Sequence, residues 1–270
     1  MHYITSNDNA KIAVYDINTQ SPKVIFLIHG WPLSHRMFEY QLPSLLANGY
    51  RIIMIDLRGF GKSDFTYYGY NIDQFATDLS YAIRALKLDN FTLLGFSVGG
   101  AIATRYMNIY KGIGVNKLCL VSAAVPSYSK TLTNPYGQNI EDTDNLIKLG
   151  YNDRTALNEY FGDLFFYNKS SKSFINYIQN ISDFSSSIGQ MQTLISLRNE
   201  NCFNDLKHIN VKTGIFHGKE DKICSFEMAK IVKANIYNSK LFPFENAGHG
   251  VFYDSKDLFN DTLIQFLNEI

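Results

Sequence analysis

The feature that most constrains the fold of this chain is residues 93–100, which read L-L-G-F-S-V-G-G. The apolar run before the serine predicts a buried strand, and apolar residues at helical spacing after it predict a helix. Ser97 therefore lies on a very sharp strand-to-helix turn, between Gly95 and Gly99. Side chains at those two positions would collide with neighbouring backbone. The segment predicts a serine hydroxyl lifted above the edge of a sheet, beside the amide of Val98 at a helix N-terminus.

Strands and helices alternate through the first half of the chain. Continuous apolar runs predict strands covered by helices on both faces, at residues 23–28, 51–56, 91–96 and 117–122. Helical periodicity predicts helices at residues 37–47 and 72–86. Two shorter segments predict an antiparallel edge of the sheet, at residues 3–5 and 11–16. This alternation calls for right-handed crossovers, so the predicted fold class is α/β with a mostly parallel central sheet flanked by helices.

The alternation stops between residues 126 and 205, where the sequence predicts no buried strand. Helical segments fill this region, at residues 144–149, 155–166, 173–181 and 188–197. Strands then resume at 211–216 and 240–244, with helices at 225–236 and 256–267. We therefore predict one core domain, residues 1–125 and 206–270, with a helical cap, residues 126–205, inserted over the sheet edge where open α/β sheets bind ligands. Within the cap, Phe161 and Phe165 lie one helical turn apart, and we expect both to line a substrate pocket.

Two further residues follow late strands and fit the chemistry that a serine nucleophile requires. A serine hydroxyl needs a base to remove its proton, and the base needs a third group to orient it. Asp221 follows the strand at 211–216 through G-K-E-D, and His249 follows the next strand through A-G-H-G. Because the carboxyl ends of parallel strands share one edge, Ser97, Asp221 and His249 are predicted to form a catalytic triad. Glu220, next to the acid, is expected to point into solvent.

A second turn supplies a candidate for the other half of an oxyanion hole. Acyl transfer needs two donors for the tetrahedral oxyanion, and the Val98 amide is only one. The strand at 23–28 ends in H-G-W-P, so the backbone N–H of Trp31 is the predicted second donor. His29 in the same turn is expected to form structural hydrogen bonds and not to act as the base.

Charge and motif content argue against several classes of protein. The 270 residues include 25 basic and 25 acidic side chains, and no dense basic stripe indicates binding to nucleic acid or an anionic membrane surface. Lys62 and Ser63 follow Gly61 as in a phosphate-binding loop, but Asp56 stands where that motif requires its first glycine. The three cysteines lack metal-ligand spacing, so we expect no disulfide, metal or cofactor. With neither a signal-peptide pattern nor a long apolar run, the expected location is cytoplasmic.

Taken together, these motifs resemble those of α/β-hydrolase-fold enzymes over the whole chain, and most closely the cofactor-free (non-haem) haloperoxidase and arylesterase branch. H-G-W-P, D-L-R-G-F-G-K-S-D, G-F-S-V-G-G, H-G-K-E-D-K-I and A-G-H-G occur in the family order. The resemblance implies the same triad, an oxyanion hole from the amides of Trp31 and Val98, and a pocket whose walls include Trp31, Ile223 and Phe226. Serine at position 97 excludes the dehalogenase and epoxide-hydrolase branches, which need aspartate there.

Two positions depart from the family pattern around the acid. The strand before Asp221 usually begins Val-Pro-Thr but here reads Val211-Lys212-Thr213, and Ser225 replaces a common proline. The acid loop is therefore expected to be less rigid.

The sequence favours a serine esterase that acts on a small-molecule ester with a small or medium acyl group. Perhydrolysis of an acid by peroxide is the expected side activity of this branch. Two alternatives use the same residues: a ligand-binding or regulatory protein that keeps the triad with little turnover, and a hydrolase of C–C bonds or amides.

Overall fold

A computed structural model describes residues 1–168 and 170–269 of the chain. Within these residues an eight-stranded sheet has the order β1-β2-β4-β3-β5-β6-β7-β8. Its strands are β1 His2–Thr5, β2 Lys11–Ile17, β3 Val24–Ile28, β4 Arg51–Ile55, β5 Phe91–Phe96, β6 Val115–Val121, β7 Lys212–Gly218 and β8 Ser239–Phe244. β1 and β2 are antiparallel at one edge, and the other strands pair in parallel. The predicted α/β fold and its antiparallel edge are confirmed.

The register of the parallel strands brings their carboxyl ends to one edge. Ile28 at the end of β3 pairs with Gly95, and Val121 at the end of β6 pairs with both Phe96 and Phe216. The side chains of β3 and β5 are almost completely buried, because helices cover both faces of the sheet. Every loop that follows β3, β5, β7 or β8 therefore starts at the same rim.

The described residues also form eleven α-helices. They are α1 Leu42–Ala47, α2 Ile72–Ala85, α3 Val98–Ile109, α4 Ile140–Asn152, α5 Arg154–Phe165, α6 Lys172–Asp183, α7 Ser187–Asn199, α8 Phe203–Leu206, α9 Phe226–Asn235, α10 Val251–Asp254 and α11 Lys256–Asn268. No helix in residues 1–168 or 170–269 is long and apolar enough to cross a membrane.

The prediction of a single helix at residues 37–47 is wrong. The structure has a short 3-10 helix, His35–Phe38, followed by a separate helix α1 that begins at Leu42. Pro43 lies in the first turn of α1. Proline lacks an N–H and disfavours helical geometry in the residue before it, so it can start a helix but cannot continue one.

In the described part of the chain between β6 and β7, the region predicted as an insertion, there are five helices, α4 to α8. Hydrogen bonds tie this insertion to loops at the carboxyl rim: the Ser186 amide donates to the Gly59 carbonyl at 2.7 Å, and the Gly250 amide donates to the Phe165 carbonyl at 2.7 Å. Helix α4 begins earlier than predicted because its first turn is largely exposed and carries no apolar period. The sequence did not predict α8, because a helix of four residues is too short to show a helical period. Lys169 and Ile270, which belong to the predicted insertion and core, lie outside the described residues.

A buried ion cluster fixes the loop that follows β4. The guanidinium of Arg58 is fully buried and donates from Nε and Nη2 to the Asp78 carboxylate, at 2.7 Å in each case. Its Nη1 donates to the exposed Asp8 at 2.7 Å. Asp78 is 1% exposed, so the cluster pins this loop to helix α2 without help from solvent.

We predict that Asp78→Asn lowers the free energy of unfolding by about 3–5 kcal/mol, because it leaves the buried guanidinium without its main counter-charge. Urea unfolding followed by circular dichroism measures the change. The matched control is Glu227→Gln, which breaks the exposed pair with Lys230 and should cost less than about 1 kcal/mol. Equal losses in the two variants would contradict this role for the cluster.

Candidate active site

Ser97 occupies the turn between β5 and α3 in a strained backbone conformation. Its φ is 53° and its ψ is −118°, a region that residues other than glycine rarely adopt. Hydrogen bonds on both sides hold it there: the Ser97 amide donates to the Val121 carbonyl, and the Ala124 amide donates to the Ser97 carbonyl, each at 3.0 Å. Surrounding structure must over-determine such a conformation for it to persist, and strain of this kind concentrates at functional sites.

The glycines on either side of Ser97 are required by close backbone contacts. A Cβ atom at Gly95 would lie 2.2 Å from the carbonyl oxygen of Gly99. A Cβ atom at Gly99 would lie 2.4 Å from the carbonyl oxygen of Ile28, at the end of β3. The collision expected from the sequence therefore occurs at both positions, and it shows that the turn packs directly against the loop after β3.

Asp221 and His249 meet in the loops that follow β7 and β8. Nδ1 of His249 lies 2.8 Å from Oδ2 of Asp221, and both side chains are buried. The other carboxylate oxygen, Oδ1, accepts hydrogen bonds from the amides of Ile223 at 2.9 Å and Cys224 at 2.8 Å. Burial by itself raises the pKa of Asp221, but the charge of His249 and hydrogen bonds from His217 and His249 outweigh it, so the pKa is well below its usual value. The carboxylate is therefore ionised.

The imidazole of His249 has one nitrogen bound and one unbound. Since Nδ1 faces an ionised carboxylate, it carries the hydrogen, and the neutral ring keeps its lone pair on Nε2. Within residues 1–168 and 170–269, Nε2 is buried and has no hydrogen-bond partner, so the Ser97 hydroxyl does not yet bond to it. The ring packs between Phe96, whose centroid is 4.9 Å away, and Phe165, at 5.3 Å. Phe96 directly precedes Ser97, so the imidazole ring lies close to the serine turn.

The loop after β3 brings the Trp31 amide to the same turn. A Cβ atom at Gly30 would lie 3.1 Å from the Cβ atom of Ser97, which shows how closely the two loops approach. Val98 is the first residue of α3, so its amide has no acceptor within the helix. Among the described residues, neither the Trp31 amide nor the Val98 amide donates a hydrogen bond. Two unpaired donors therefore lie next to Ser97.

The side chain of Trp31 is held by the helical insertion. Its indole Nε1 donates to the carbonyl oxygen of Gln190 on α7 at 2.9 Å, and its ring meets that of Phe161 on α5 edge-on, with centroids 4.6 Å apart. Trp31 is only 3% exposed. The insertion therefore covers the loop that carries one of the two unpaired amides.

His29 forms structural hydrogen bonds, as its position in the sequence suggested. Its Nδ1 lies 2.9 Å from the Gly30 carbonyl oxygen, and its Nε2 accepts from the Leu57 amide at 2.9 Å. Complete burial lowers the pKa of His29 to about 4, so the ring is neutral at neutral pH. With both nitrogens engaged, it has no lone pair to offer a substrate.

Two cavities contain three of the five predicted pocket residues, but neither cavity is lined by Ser97, His249 or Trp31. A cavity of about 440 Å³ is lined by Tyr128, Phe161 and Ile223, together with residues of α4. A void of about 20 Å³ lies on the other side of Phe161 and is also lined by Phe165. Phe226 lines neither of these two: its ring lies against His217, with centroids 6.1 Å apart, so it supports the acid loop from behind.

Two neighbours of the acid loop were not singled out from the sequence. Nε2 of His217 lies 3.2 Å from Oδ2 of Asp221, and Gln138 donates to the carbonyls of Lys222 at 3.1 Å and Ile223 at 2.9 Å. For His217 a signal was present, because it stands at the end of β7 only four residues before the acid. Gln138 comes from an irregular segment 84 residues from Lys222, and no local pattern marks it.

Comparison with known proteins agrees with this architecture. Residues 23–256 match the model of the alpha/beta hydrolase fold family. The chain is 43% identical over 267 residues to the AB hydrolase superfamily protein YisY of Bacillus subtilis (strain 168), an alignment that covers 99% of each chain.

Two solved structures superpose over nearly the full length. The esterase EaEST from Exiguobacterium antarcticum has a TM-score of 0.97 and 40% identity, with 99% of each chain covered. A bromoperoxidase from Bacillus anthracis has a TM-score of 0.94 and 32% identity, again covering 99% of each chain. The chain therefore belongs to the α/β-hydrolase-fold family and has esterase and haloperoxidase-like relatives, as the order of its motifs indicated.

Proposed function

We propose that this protein is a serine hydrolase of the carboxylesterase type that cleaves esters of small or medium acyl groups through an acyl-enzyme. The observation that carries the proposal is the state of His249. Its Nδ1 is fixed by the ionised Asp221, its buried Nε2 has no partner among the described residues, and its ring packs against Phe96, which directly precedes the strained Ser97. Burying a polar atom without a hydrogen-bond partner costs free energy. A role for Nε2 as the general base that accepts the serine proton accounts for this unpaired atom.

In the first step His249 Nε2 removes the proton of the Ser97 hydroxyl as Ser97 Oγ attacks the ester carbonyl. The imidazolium that forms lies 2.8 Å from the Asp221 carboxylate, which stabilises it and keeps the ring in the productive tautomer. The ring stays between Phe96 and Phe165, so it needs little reorientation during the reaction. Hydrogen bonding between Ser97 and His249 is expected to tighten when substrate binds.

The tetrahedral intermediate places a negative charge on the former carbonyl oxygen. The unpaired amides of Trp31 and Val98 are the proposed donors to it, and the N-terminus of α3 adds its positive potential. Protonated His249 then gives its proton to the leaving alcohol. Water, activated in turn by His249, attacks the acyl-enzyme and releases the acid together with free Ser97.

The cavity of about 440 Å³ is the proposed site for the substrate. Its volume falls within the range usual for small-molecule sites, about 300–1,000 Å³. Phe161 and Ile223 line this cavity, and each also contacts the proposed centre: Phe161 packs edge-on against Trp31, and the Ile223 amide donates to Asp221. The 40% identity to an esterase over nearly the whole chain supports ester hydrolysis over the alternative bonds that the same triad can cleave.

We predict that Ser97→Ala lowers kcat/KM for p-nitrophenyl acetate by about 10⁴-fold or more, because the nucleophile is lost and only binding and oxyanion contacts remain. Release of p-nitrophenol measures the rate. Fluorophosphonate labelling of wild type and variant, read by intact mass, checks that the reactive hydroxyl is that of Ser97.

Ser122→Ala is the matched control for this experiment. Ser122 directly follows the neighbouring strand β6, also has a positive φ (42°) and is fully buried, and within the described residues its hydroxyl has no partner. This variant should keep esterase activity within a few fold of wild type. Near wild-type activity in Ser97→Ala, or wild-type protein inactive across a panel of esters, would reject the proposal.

Perhydrolysis is the second candidate function, favoured by the 32% identity to a bromoperoxidase over 99% of both chains. In this reaction hydrogen peroxide replaces water in attacking the acyl-enzyme. The products are a peracid and free Ser97, and the peracid then oxidises a halide outside the protein.

We predict that wild-type protein brominates monochlorodimedone when acetate, bromide and hydrogen peroxide are all present, because acetyl-Ser97 passes its acyl group to peroxide. Activity should disappear without acetate and in Ser97→Ala. Halogenation that persists without acetate would indicate a different route. Absence of peracid in protein that hydrolyses esters would remove perhydrolysis from the account and leave the esterase proposal standing.

A further inference from the structure

A second histidine, His217, contacts the carboxylate that orients His249. The Asp221 carboxylate has four donors, two on each oxygen. Oδ1 accepts from two backbone amides, while Oδ2 is shared between His249 Nδ1 at 2.8 Å and His217 Nε2 at 3.2 Å. His217 is 1% exposed, so solvent does not compete for this contact.

The neighbours of His217 Nε2 fix where its proton lies. The same nitrogen is 2.7 Å from the carbonyl oxygen of Cys224. A carbonyl oxygen and a carboxylate oxygen can only accept, so Nε2 must carry a hydrogen that both oxygens share. His217 is therefore a donor to Asp221 whether its ring is neutral or charged.

The turn that carries Asp221 depends on side chains for its shape. Residues 219–225 contain neither helix nor strand. The carbonyls of Lys222 and Ile223 accept from the Gln138 amide, and that of Cys224 accepts from His217. Two side chains therefore hold one turn, but only His217 also touches the carboxylate.

We propose that His217 is a positioning residue: its Nε2–H holds Oδ2 of Asp221 and thereby sets how strongly Asp221 binds and orients His249. This inference rests on the proposed serine hydrolase mechanism. The hydrogen bond from His217 Nε2–H draws electron density from Oδ2, the carboxylate oxygen that also accepts from His249. Removing it leaves a stronger acceptor, which stabilises the protonated form of His249. When the pH is lowered, the variant therefore loses activity at a higher pH than wild-type protein does.

Other titratable groups near the acid turn stay neutral in the range where this effect is measured. Burial raises the pKa of Cys224, and the charge of Asp221 raises it further. Burial likewise raises the pKa of the Tyr128 hydroxyl, with a smaller contribution from Asp221. Neither group titrates between pH 5 and 8, so neither produces the acidic limb.

Several charged groups lie on the neighbouring loops. Asp254 lies behind the His249 turn, where its carboxylate accepts from the Gly248 amide at 2.8 Å. Lys219, Glu220 and Glu245 are exposed on the outer side of the two loops. All of these are present in every variant compared below, so differences between profiles report the change at position 217.

We predict that His217→Leu moves the acidic limb of the kcat/KM profile for p-nitrophenyl acetate to higher pH by about half a unit, the size expected for one hydrogen bond. At the optimum kcat should fall between about threefold and tenfold, with little change in KM. His217→Gln, whose amide can restore a donor at the position of Nε2, should return the limb to its wild-type position. Initial rates between pH 4.5 and 9 give all three quantities.

Gln138→Ala is the control for simple loosening of the turn. It frees the carbonyls of residues 222 and 223 but leaves all four donors of Asp221 in place. Its acidic limb should coincide with that of wild type. An unmoved limb in folded His217→Leu, or an equal shift in Gln138→Ala, would overturn the proposal.

A measurement on wild-type protein covers the case in which His217→Leu does not fold. NMR of ¹⁵N-histidine-labelled protein, assigned with His217→Gln, should show His217 with its hydrogen on Nε2 at neutral pH. Hydrogen on Nδ1 alone would overturn the contact with Asp221. Failure of wild-type protein to hydrolyse any ester would instead count against the proposed function, and the NMR result would still test His217.

Discussion

The hydrogen bond between Asp221 and His249 requires that the Asp221 carboxylate stay ionised although it is buried. Much of the local structure stabilises that charge. An isolated carboxylate in this apolar setting would take up a proton, because burial disfavours its charged form. Four donors prevent this, and they come from the backbone of the acid turn, from the end of β7 and from the loop after β8. The parallel sheet makes the arrangement possible, since its register sets the carboxyl ends of β5, β7 and β8 at one rim.

Apolar packing around the centre works together with this charge. Phe96 and Phe165 enclose the imidazole of His249, and Trp31 and Phe161 cover the adjoining loop. In such surroundings electrostatic interactions are stronger than in water, so fixed amides and an ionised carboxylate can stabilise charges that would develop during the proposed acyl transfer. The helical insertion contributes part of this cover, through Phe161 and Phe165 of α5.

Structural features that depend on a short stretch of sequence were predictable, and contacts between distant segments were not. Three positions, Ser97, Asp221 and His249, each follow a predicted strand within a few residues. The alternation of strands and helices was therefore enough to expect them at one edge of the sheet. Pro43 divided a helix that periodicity alone had joined. The bridge from Gln138 to the acid turn has no local signature, because it links an irregular segment to a loop 84 residues away. Phe226 was placed by resemblance in the pocket wall, yet its ring packs against His217.

A crystal structure of the protein with a small alkyl phosphonate bound covalently tests the central claim most directly, since the adduct resembles the tetrahedral intermediate. The account predicts phosphorus bonded to Ser97 Oγ, a phosphonyl oxygen within hydrogen-bonding distance of the amides of Trp31 and Val98, and His249 Nε2 within reach of Ser97 Oγ or the leaving-group oxygen. An adduct on another residue, or one whose phosphonyl oxygen meets neither amide while His249 points away, would contradict it.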